Sequence, residues 1–328
     1  MKPPIKVTVT GSTGQIGYSL LFKIANGEMF GKDQPIDLMM LGVYPGAGAA
    51  RVGLAMELED CAYSQLNSLA STTDLDEGFG DANWIIMLGS SPRKKGMERI
   101  DLLRQNGRMF ASQGRSIDKN AAQDAKILVV GNPCNTNALI AMSNAARIPR
   151  ERWFALTRLD ENRAKAQLAK KAGVKAGDVK NMCVWGNHSN TQFPDFTNAT
   201  ICDKPVSEFI RDENWLENDF IKIVRNRGSA IIEERGASSA ASAASAVVDT
   251  VHSIIFPTPK GDWHSVGVCS DGSYGIEEGL ICSMPIISDG KNWSIDKSLK
   301  INNFARSQID ASVEELRNER DMFNSLVF

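Results

Sequence analysis

The sequence lacks several features that mark particular functional classes. Its 328 residues include 37 basic and 39 acidic side chains, for a formal charge of −2, and no Lys/Arg-rich run. Because nucleic-acid binding leaves a basic patch, neither nucleic acid nor an anionic membrane surface is expected as a partner. No run of about 18 apolar residues is present to span a bilayer, and the start "MKPPIKVTVTG" has no apolar signal-peptide core. The sequence therefore predicts a cytoplasmic protein.

Paired cysteines are absent and histidines are scarce. The six cysteines are scattered with no C-x-x-C pair, so neither a disulfide framework nor a zinc site is indicated, and no metal is expected. The only histidines are His188, His252 and His264. A catalytic histidine therefore has few candidates.

Short apolar runs alternate with helical patterns in the first half of the chain. The runs, rich in β-forming residues, cover 6–10, 36–41, 84–88 and 125–130, and the helical patterns cover 15–25, 51–61, 97–122 and 136–145. Such alternation predicts an α/β domain in which helices cover a parallel sheet. We assign residues 1–153 to this Rossmann-type, dinucleotide-binding domain.

The order of elements changes from about Trp153. A helical pattern at 159–173 is followed by "NMCVWGNH", a small-residue helix at 236–251, strand-like runs at 264–271, 279–287 and 292–296, and a final amphipathic helix. This mixture predicts an α+β catalytic domain over residues 154–328.

A glycine-rich loop follows the first strand and opens the first helix. Gly11, Gly14 and Gly17 have the spacing G-x-x-G-x-x-G, where G-x-G-x-x-G is more common. Such a loop lets the backbone approach a pyrophosphate while the helix N-terminus supplies N–H donors. A tight strand-to-helix turn without a ligand is the alternative.

Three further clusters carry polar groups that suit a small acidic substrate. Arg93 and Arg99 flank a glycine in "SSPRKKGMER", so they can close over a carboxylate or form an ordinary solvated loop. Asn132 follows a strand, where ligands of open α/β sheets bind, although Asn-Pro turns are common. Asp160 and Arg163 lie three residues apart on one helix face, as in a surface ion pair.

One histidine has the setting of an acid/base catalyst. His188 follows an apolar run in "VWGNHS", and it needs a carboxylate to fix its tautomer, for which Asp160 is the natural candidate. A structural role is the alternative. His252, in a helical pattern, and His264, expected in a loop, have no comparable neighbours.

Together these pieces resemble the cytosolic-type malate dehydrogenases of the lactate/malate dehydrogenase superfamily. The resemblance implies a reversible oxidation of malate to oxaloacetate in the tricarboxylic acid cycle, and a homodimer formed partly through the helix containing "MELEDC". The similarity runs from Lys6 to the C-terminal helix, and the matching segments are "TGSTGQIGYSLL", "AMELEDCAY", "PRKKGMER", "NGRMFASQG", "VVGNPCNTNALIA", "LTRLDENRAKAQLA", "VWGNHSNTQFPDF", "RGASSAASAA" and "GSYGIEEGL".

The resemblance also implies a role for each site residue. His188 accepts the proton in malate oxidation and returns it in oxaloacetate reduction, with Asp160 as its partner. Arg163 binds the C1 carboxylate of the substrate. Arg93 and Arg99, on a loop that closes, hold the distal carboxylate and polarise the carbonyl, while Asn132 contacts the substrate oxygen. The implied cofactor positions are Gly11, Ser12, Thr13, Gly14, Gln15, Ile16, Gly17, Gly42, Asn106, Gln113, Val130, Gly131 and Asn132.

One position departs from the family pattern. NAD-specific members place an acidic residue after the second strand to bind the ribose 2′-hydroxyl, whereas this chain has Gly42. The missing carboxylate weakens NAD(H) and no longer repels the extra phosphate of NADP(H). The first cation beyond it is Arg51, so the positive half of an NADP site is poorly supplied by the sequence. We expect NAD(H) to be slightly favoured, with NADP(H) possible.

Two other functions stay open at this level. A dehydrogenase for a different 2-hydroxy acid differs by few residues, but Arg93 argues for a second carboxylate on the substrate. A non-catalytic nucleotide-binding relative is the other alternative, and the complete set of His188, Asp160 and Arg163 speaks against it.

Overall fold

The computed structural model describes residues 2–42, 48–90 and 99–325, and for residues 99–103 it describes the backbone alone. The chain divides into two compact units. One contains residues 1–155 together with 243–248 and 319–328, and the other contains residues 156–242 and 249–318.

The first unit is built on six parallel strands. Their spatial order is β6-β5-β4-β1-β2-β3, so the chain order reverses between β1 and β4. In open sheets of this kind, ligands bind at the carboxyl ends of the strands beside such a reversal. The strands are β1 Ile5–Thr10, β2 Ile36–Leu41, β3 Leu66–Thr72, β4 Trp84–Met87, β5 Lys126–Val129 and β6 Trp153–Ala155.

The core of this unit lies along the central strands. Val7, Ile85 and Leu128 are fully buried, and every residue of β4 is buried. Each such side chain contributes roughly 1.5–3 kcal/mol on burial. The helices of this part of the chain are α1 Gln15–Ala25, α2 Gly48–Asp60, α3 Leu75–Phe79, α4 Arg99–Asn120 and α5 Cys134–Ser143.

The predicted alternation is confirmed, but three elements were missed. The sequence-based interpretation contained neither β3 nor β6 nor the short helix α3. Strand β3, "LNSLAST", has no fully buried residue and exposes most of its side chains at the edge of the sheet, so it shows little apolar signal. The other two are only three and five residues long.

The elements after residue 155 mix helices with antiparallel strands. Strands β12 to β14 form an antiparallel meander, β8 pairs with β9, and β10 pairs with β7 and β11. The strands are β7 Val179–Lys180, β8 Cys183–Trp185, β9 Phe193–Asp195, β10 Thr200–Ile201, β11 Lys204–Pro205, β12 His264–Cys269, β13 Ile281–Ser288 and β14 Trp293–Ile295. The helices are α6 Arg158–Ala172, α7 Val206–Phe209, α8 Ile221–Arg235, α9 Ala241–Ile255 and α10 Asn303–Asn324. This arrangement confirms the α+β class predicted for the second half.

The predicted small-residue helix starts later than the sequence indicated. Gly236 adopts φ 71° and ψ 5°, which ends α8, a helix that the sequence interpretation missed. Helix α9 therefore begins at Ala241 and not at residue 236. A left-handed glycine after a helix is a usual stop, because other residues meet a steric penalty in that conformation.

Three findings apply to the part of the chain that the structure describes. None of its helices is long and apolar enough to cross a membrane. All six cysteines are free thiols. No group of three or more His, Cys, Asp or Glu side chains is placed to hold a metal ion there.

Candidate active site

The glycine-rich loop joins β1 to α1 and is held tightly against its surroundings. Gly11 has φ +62°, and a Cβ on it would lie 3.0 Å from the backbone of Gly89. At Gly17 a Cβ would lie 2.3 Å from the carbonyl oxygen of Ser12. Only glycine fits both places, so the turn brings the start of α1 close to the ends of the strands.

The N-terminus of α1 is suited to an anion. Gly14 precedes the helix with no side-chain cap, and the first turn contains no acidic residue. The N–H groups of the first turn have no partner within the helix itself, and together with the helix dipole they favour a negative group at this end. A pyrophosphate is the ligand that such a strand, glycine loop and helix bind in dinucleotide-binding domains.

Several buried polar atoms in the first unit have no partner among the described residues. Among them are the Oγ of Ser12 and both amide atoms of Gln113, and both residues are buried. Buried polar groups are nearly always hydrogen-bonded, and leaving one unpaired costs about 1–3 kcal/mol. Ser12 and Gln113 belong to the predicted cofactor positions, so this part of the structure fits a bound dinucleotide.

Four other predicted cofactor residues lie near the carboxyl end of β5, namely Asn106 and residues 130–132. Asn106 is buried in α4, and its Nδ2 donates to the carbonyl oxygen of Asn132 at 3.5 Å. Gly131 is also buried, and a Cβ there would lie 3.0 Å from the carbonyl oxygen of Gly89. Gly89 thus contacts both the loop after β1, at Gly11, and the loop after β5, at Gly131. The sequence interpretation missed Gly89. Of the others, Val130 is buried, Ile16 is half-buried, and Thr13, Gly14, Gln15 and Asn132 are exposed.

Gly42 occupies the predicted ribose position after β2. It is buried, and its N–H donates to the carbonyl oxygen of Thr72 at 2.9 Å. The side chain nearest to a Cβ at this position is Arg51, whose Nη1 would be 2.0 Å away. In the sequence this arginine is nine residues away from Gly42.

Two of the predicted substrate-binding arginines cannot be placed among the described side chains. Arg93 lies outside the described residues, and Arg99 begins α4 without a described side chain. Their contact with a substrate carboxylate stays a prediction.

His188 follows β8 on a backbone fixed by two other elements. Gly186 exchanges two backbone hydrogen bonds with Ser283 of β13, at 3.1 and 2.8 Å. The N–H of Asn187 donates to the Oγ of Ser312 in α10 at 2.8 Å. A Cβ on Gly186 would lie 2.1 Å from the same Oγ, so this approach requires glycine. The loop is therefore rigid where it presents the histidine.

The second unit joins three of the predicted residues through one carboxylate. The Nδ1 of His188 is hydrogen-bonded to Oδ2 of Asp160, and the guanidinium of Arg163 donates to Oδ1 at 3.0 Å. Asp160 is fully buried, while 19 % of the His188 side chain and 13 % of the Arg163 side chain are exposed. The ion pair expected on a helix surface is therefore a buried carboxylate with two partners.

The charges of this cluster shift the pKa of both acid and base. Burial alone would lower the pKa of His188, but the Asp160 carboxylate, by its charge and its hydrogen bond, raises it overall. Burial alone would raise the pKa of Asp160, and the His188 and Arg163 charges lower it overall. Asp160 is thus ionised at neutral pH, and His188 holds a proton more readily than a free histidine.

Arg163 has a further contact that the sequence interpretation missed. Its Nη2 donates to the Oγ of Ser239 at 3.1 Å, and a Cβ on Gly228 would lie 3.8 Å from the same nitrogen. Ser239 belongs to the segment "RGASS", which matched the family pattern without being given a role. Together Asp160 and Ser239 fix the guanidinium plane.

Another histidine also lies beside a carboxylate, contrary to expectation. His264 begins β12 and not a loop, and its Nδ1 is 3.6 Å from Oε1 of buried Glu161. Glu161 contacts Lys165 Nζ at 2.8 Å and Arg158 Nε at 3.4 Å, and it accepts from the N–H of Ser265 at 2.6 Å. Its pKa is lowered because these cations outweigh the effect of burial. This cluster ties α6 to β12.

Comparison with known families matches both halves of the chain. Residues 5–155 match the model of the lactate/malate dehydrogenase NAD-binding domain, and residues 157–326 match that of the α/β C-terminal domain of the same family. The chain belongs to the lactate/malate dehydrogenase family. Its N-terminal half is therefore an NAD-binding-type Rossmann domain, and the protein is an oxidoreductase.

Solved structures of this family include both activities. A malate dehydrogenase from Naegleria fowleri is 42% identical, covers 100% of both chains and gives a TM-score of 0.95. A lactate dehydrogenase from Trichomonas vaginalis, in complex with NADH and oxamate, is 34% identical over 98% of both chains with a TM-score of 0.93. A malate dehydrogenase from Plasmodium falciparum, 23% identical over 98% of this chain and 99% of its own, shares the fold with a TM-score of 0.82.

Proposed function

We propose that this lactate/malate dehydrogenase family member is a malate dehydrogenase that interconverts (S)-malate and oxaloacetate, with His188 as acid and base. The observation that carries the proposal is the buried Asp160 carboxylate, which is bonded to both His188 and Arg163. One anion thus orients a proton-transfer group and a cation that can bind a carboxylate. This pairing suits a 2-hydroxy acid, which carries a hydroxyl beside a carboxylate.

His188 moves the proton in this proposal. Because Nδ1 is bonded to Asp160, the ring is held in the orientation that makes Nε2 the atom exchanging a proton with the substrate. The Asp160 charge stabilises the imidazolium that forms when the hydroxyl of malate loses its proton. In the opposite direction the same imidazolium protonates the oxygen of oxaloacetate.

Arg163 and the nucleotide-binding loop position the reactants. The guanidinium of Arg163, fixed by Asp160 and Ser239, binds the C1 carboxylate through its remaining donors. When bound, a nicotinamide dinucleotide would supply the hydride-transfer chemistry needed at C2 of the substrate. The loop from Gly11 to Gly17, with Ser12, Asn106, Gln113 and the segment 130–132, would hold this cofactor. The NAD-binding family model favours NAD(H), and Gly42 leaves NADP(H) open.

A second carboxylate on the substrate separates malate from lactate. The proposal assigns its recognition to Arg93, supported by Arg99, with Asn132 on the substrate oxygen. The 42% identical malate dehydrogenase supports malate as the substrate. A dehydrogenase for a different 2-hydroxy acid is the competing function, since the family also contains lactate dehydrogenases.

The test compares oxaloacetate with pyruvate, with NADH as the reductant. We expect kcat/KM to be at least about a hundredfold higher for oxaloacetate, because a desolvated arginine–carboxylate pair contributes several kcal/mol. Arg93→Gln should remove most of this preference and leave the affinity for NADH nearly unchanged. Arg115→Gln, at an exposed residue of α4 that bonds Asn144, is the matched control. Preference for pyruvate, or full oxaloacetate efficiency in Arg93→Gln, would overturn the malate assignment.

The proposal also includes a homodimer. Helix α2 contains "MELEDC" up to Asp60 and buries Leu54 and Leu58, whereas Val52 and Met56 are 54% and 59% exposed. Large exposed apolar side chains on one helix suit a contact with a second copy. The cytoplasmic location and the place in the tricarboxylic acid cycle stay predictions from the sequence.

A further inference from the structure

Arg51 lies where the second strand of the first unit ends. It is the fourth residue of α2, and its side chain folds back over Gly42, the residue after β2. A Cβ on Gly42 would meet Nη1 at 2.0 Å, Cζ at 2.8 Å and Cδ at 3.3 Å. The guanidinium therefore occupies the volume that a side chain at position 42 would take. The absence of an acidic side chain at position 42 therefore makes room for the arginine side chain.

The charge of Arg51 is not matched by the described residues. Its Nε and Nη1 are buried, yet neither has a hydrogen-bond partner in the described part of the chain. No acidic residue lies in the first turn of α2, so the positive end of this helix adds to the same local charge. Buried N–H donors without a partner are costly, and an anion bound to this half-buried guanidinium would pair them.

The position in the sheet identifies the anion. The glycine-rich loop after β1 receives the pyrophosphate, and the adenosine ribose then lies at the carboxyl end of β2. The group that can stand there with a negative charge is a phosphate on the ribose 2′-oxygen. A guanidinium binds phosphate through parallel N–H donors, whereas a carboxylate at position 42 would repel it.

We propose that Arg51 binds the 2′-phosphate of NADP(H), so that this chain uses NADP(H) as well as NAD(H). The inference rests on the proposed nicotinamide cofactor site, but not on malate as the substrate. Gly42 is essential to it, because any larger residue there would displace the guanidinium. Arg51 is nine residues from Gly42 in the sequence, but as the fourth residue of α2 it lies beside Gly42 in the structure.

Binding of nucleotide fragments tests this without turnover. Isothermal titration calorimetry compares adenosine 2′,5′-diphosphate with adenosine 5′-monophosphate, which differ only in the 2′-phosphate. In the wild-type protein we expect the diphosphate to bind at least about tenfold more tightly, as one charge-assisted contact provides. Equal affinity for the two fragments in the wild-type protein would overturn the proposal.

Substitutions then assign the preference to one side chain. Arg51→Met keeps an unbranched stem, shorter than that of arginine, and removes the charge, so the affinity ratio of the two fragments should fall by about tenfold or more while the monophosphate affinity stays within about twofold. Arg51→Lys should retain part of the ratio, because it keeps the charge without the planar fork. Gly42→Ala should lower the ratio without changing any charge, since the new Cβ pushes the guanidinium aside. An unchanged ratio in Arg51→Met would contradict the assignment, and so would an equal loss for both fragments.

Control measurements separate this proposal from the function proposed above. Arg115→Met removes an exposed arginine of α4 and should leave the ratio unchanged. Oxaloacetate reduction by Arg51→Met with NADH should proceed close to the wild-type rate, because NADH carries no 2′-phosphate. Loss of the fragment preference with intact NADH turnover supports the role of Arg51. No oxaloacetate turnover in the wild-type protein would refute malate dehydrogenase and leave the fragment measurements valid.

Discussion

Two adjacent acids on α6 contact different partners, and these contacts support different proposed roles. Asp160 bonds His188, 28 residues along the chain, and 19 % of the His188 side chain is exposed. Its neighbour Glu161 is enclosed by Arg158, Lys165 and the backbone of Ser265. Both carboxylates are fully buried and both have lowered pKa values. Their environments, and not their burial, support the proposal that Asp160 is a catalytic partner and that Glu161 belongs to a structural ion cluster.

Neutralising each acid should therefore give opposite results. Glu161→Gln should lower the free energy of unfolding by about 3 kcal/mol, because it leaves the cationic side chains of Arg158 and Lys165 around an uncharged amide, and kcat of the folded enzyme should change little. Asp160→Asn should lower kcat by about a hundredfold to ten-thousandfold, since it removes the group that orients His188. Urea denaturation and steady-state kinetics on both variants check this. Loss of kcat in Glu161→Gln at unchanged stability would reverse the two assignments.

The raised pKa of His188 predicts a pH dependence for each direction. Oxaloacetate reduction needs the imidazolium, so its kcat/KM should fall as pH rises through a pKa above about 6.5, and malate oxidation should rise over the same range. In Asp160→Asn only the effects that lower the pKa remain, namely burial and the Arg163 charge. Both profiles should then move to lower pH. Unshifted profiles would show that Asp160 does not set the protonation of His188.

The same shifts fix the sign of the stability changes with pH. A histidine with a raised pKa adds stability that is complete below about pH 6.5 and is lost as pH rises through the folded-state pKa. The lowered pKa values of Asp160 and Glu161 add stability that is present above about pH 4 and is lost on acidification. Denaturation of Glu161→Gln against the wild-type protein at falling pH should show the difference between them decrease.

At the scale of elements, backbone conformation decides where the helices end. Helix α6, which presents Asp160 and Arg163, stops at Gly173 in the left-handed region, with φ 71° and ψ 30°. A Cβ at this glycine would meet nothing within 4 Å, so conformation alone excludes other residues. The same kind of stop at Gly236 separates α8 from the segment that leads to α9.

Gly173→Ala should destabilise the protein without affecting the site. We expect a loss of about 1 kcal/mol in the free energy of unfolding, because alanine is strained in the left-handed region, with kcat unchanged. Gly177→Ala is the matched control: Gly177 is exposed, has no positive φ and has open space around its Cβ position. It should change stability by less than about 0.5 kcal/mol. Equal effects at the two glycines would show that the αL conformation is not what decides the cost.

At the scale of the whole molecule, the proposed dimer depends on the exposed face of α2. Met56→Glu places a charge on that face and should convert a dimer into monomers, as measured by light scattering after size exclusion. Phe209→Glu, at another exposed apolar residue, should leave the dimer intact. A monomeric wild-type protein would contradict the dimer proposal, whereas a dimeric Met56→Glu variant would place the interface elsewhere.

The sequence by itself determined the class of fold and most of the chemical groups. Apolar periodicity and glycine spacing are local properties, so they located α1 and β2 at their observed bounds and identified the loop from Gly11 to Gly17. Weakly apolar or very short elements such as β3 gave no such signal, because the partners that stabilise an edge strand lie elsewhere in the chain. The family matches confirm the dehydrogenase family that the resemblance of the longer segments implied.

Only the tertiary structure decided which of these groups meet. The bond between His188 and Asp160, the hydrogen bond from Arg163 to Ser239 and the position of Arg51 over Gly42 all join residues that are distant along the chain. The separation of two residues along the chain does not show whether they meet, because that depends on how the strands and helices between them pack. The cation beside Gly42 was visible in the sequence, but only the return of α2 over the end of β2 turns it into a candidate phosphate site.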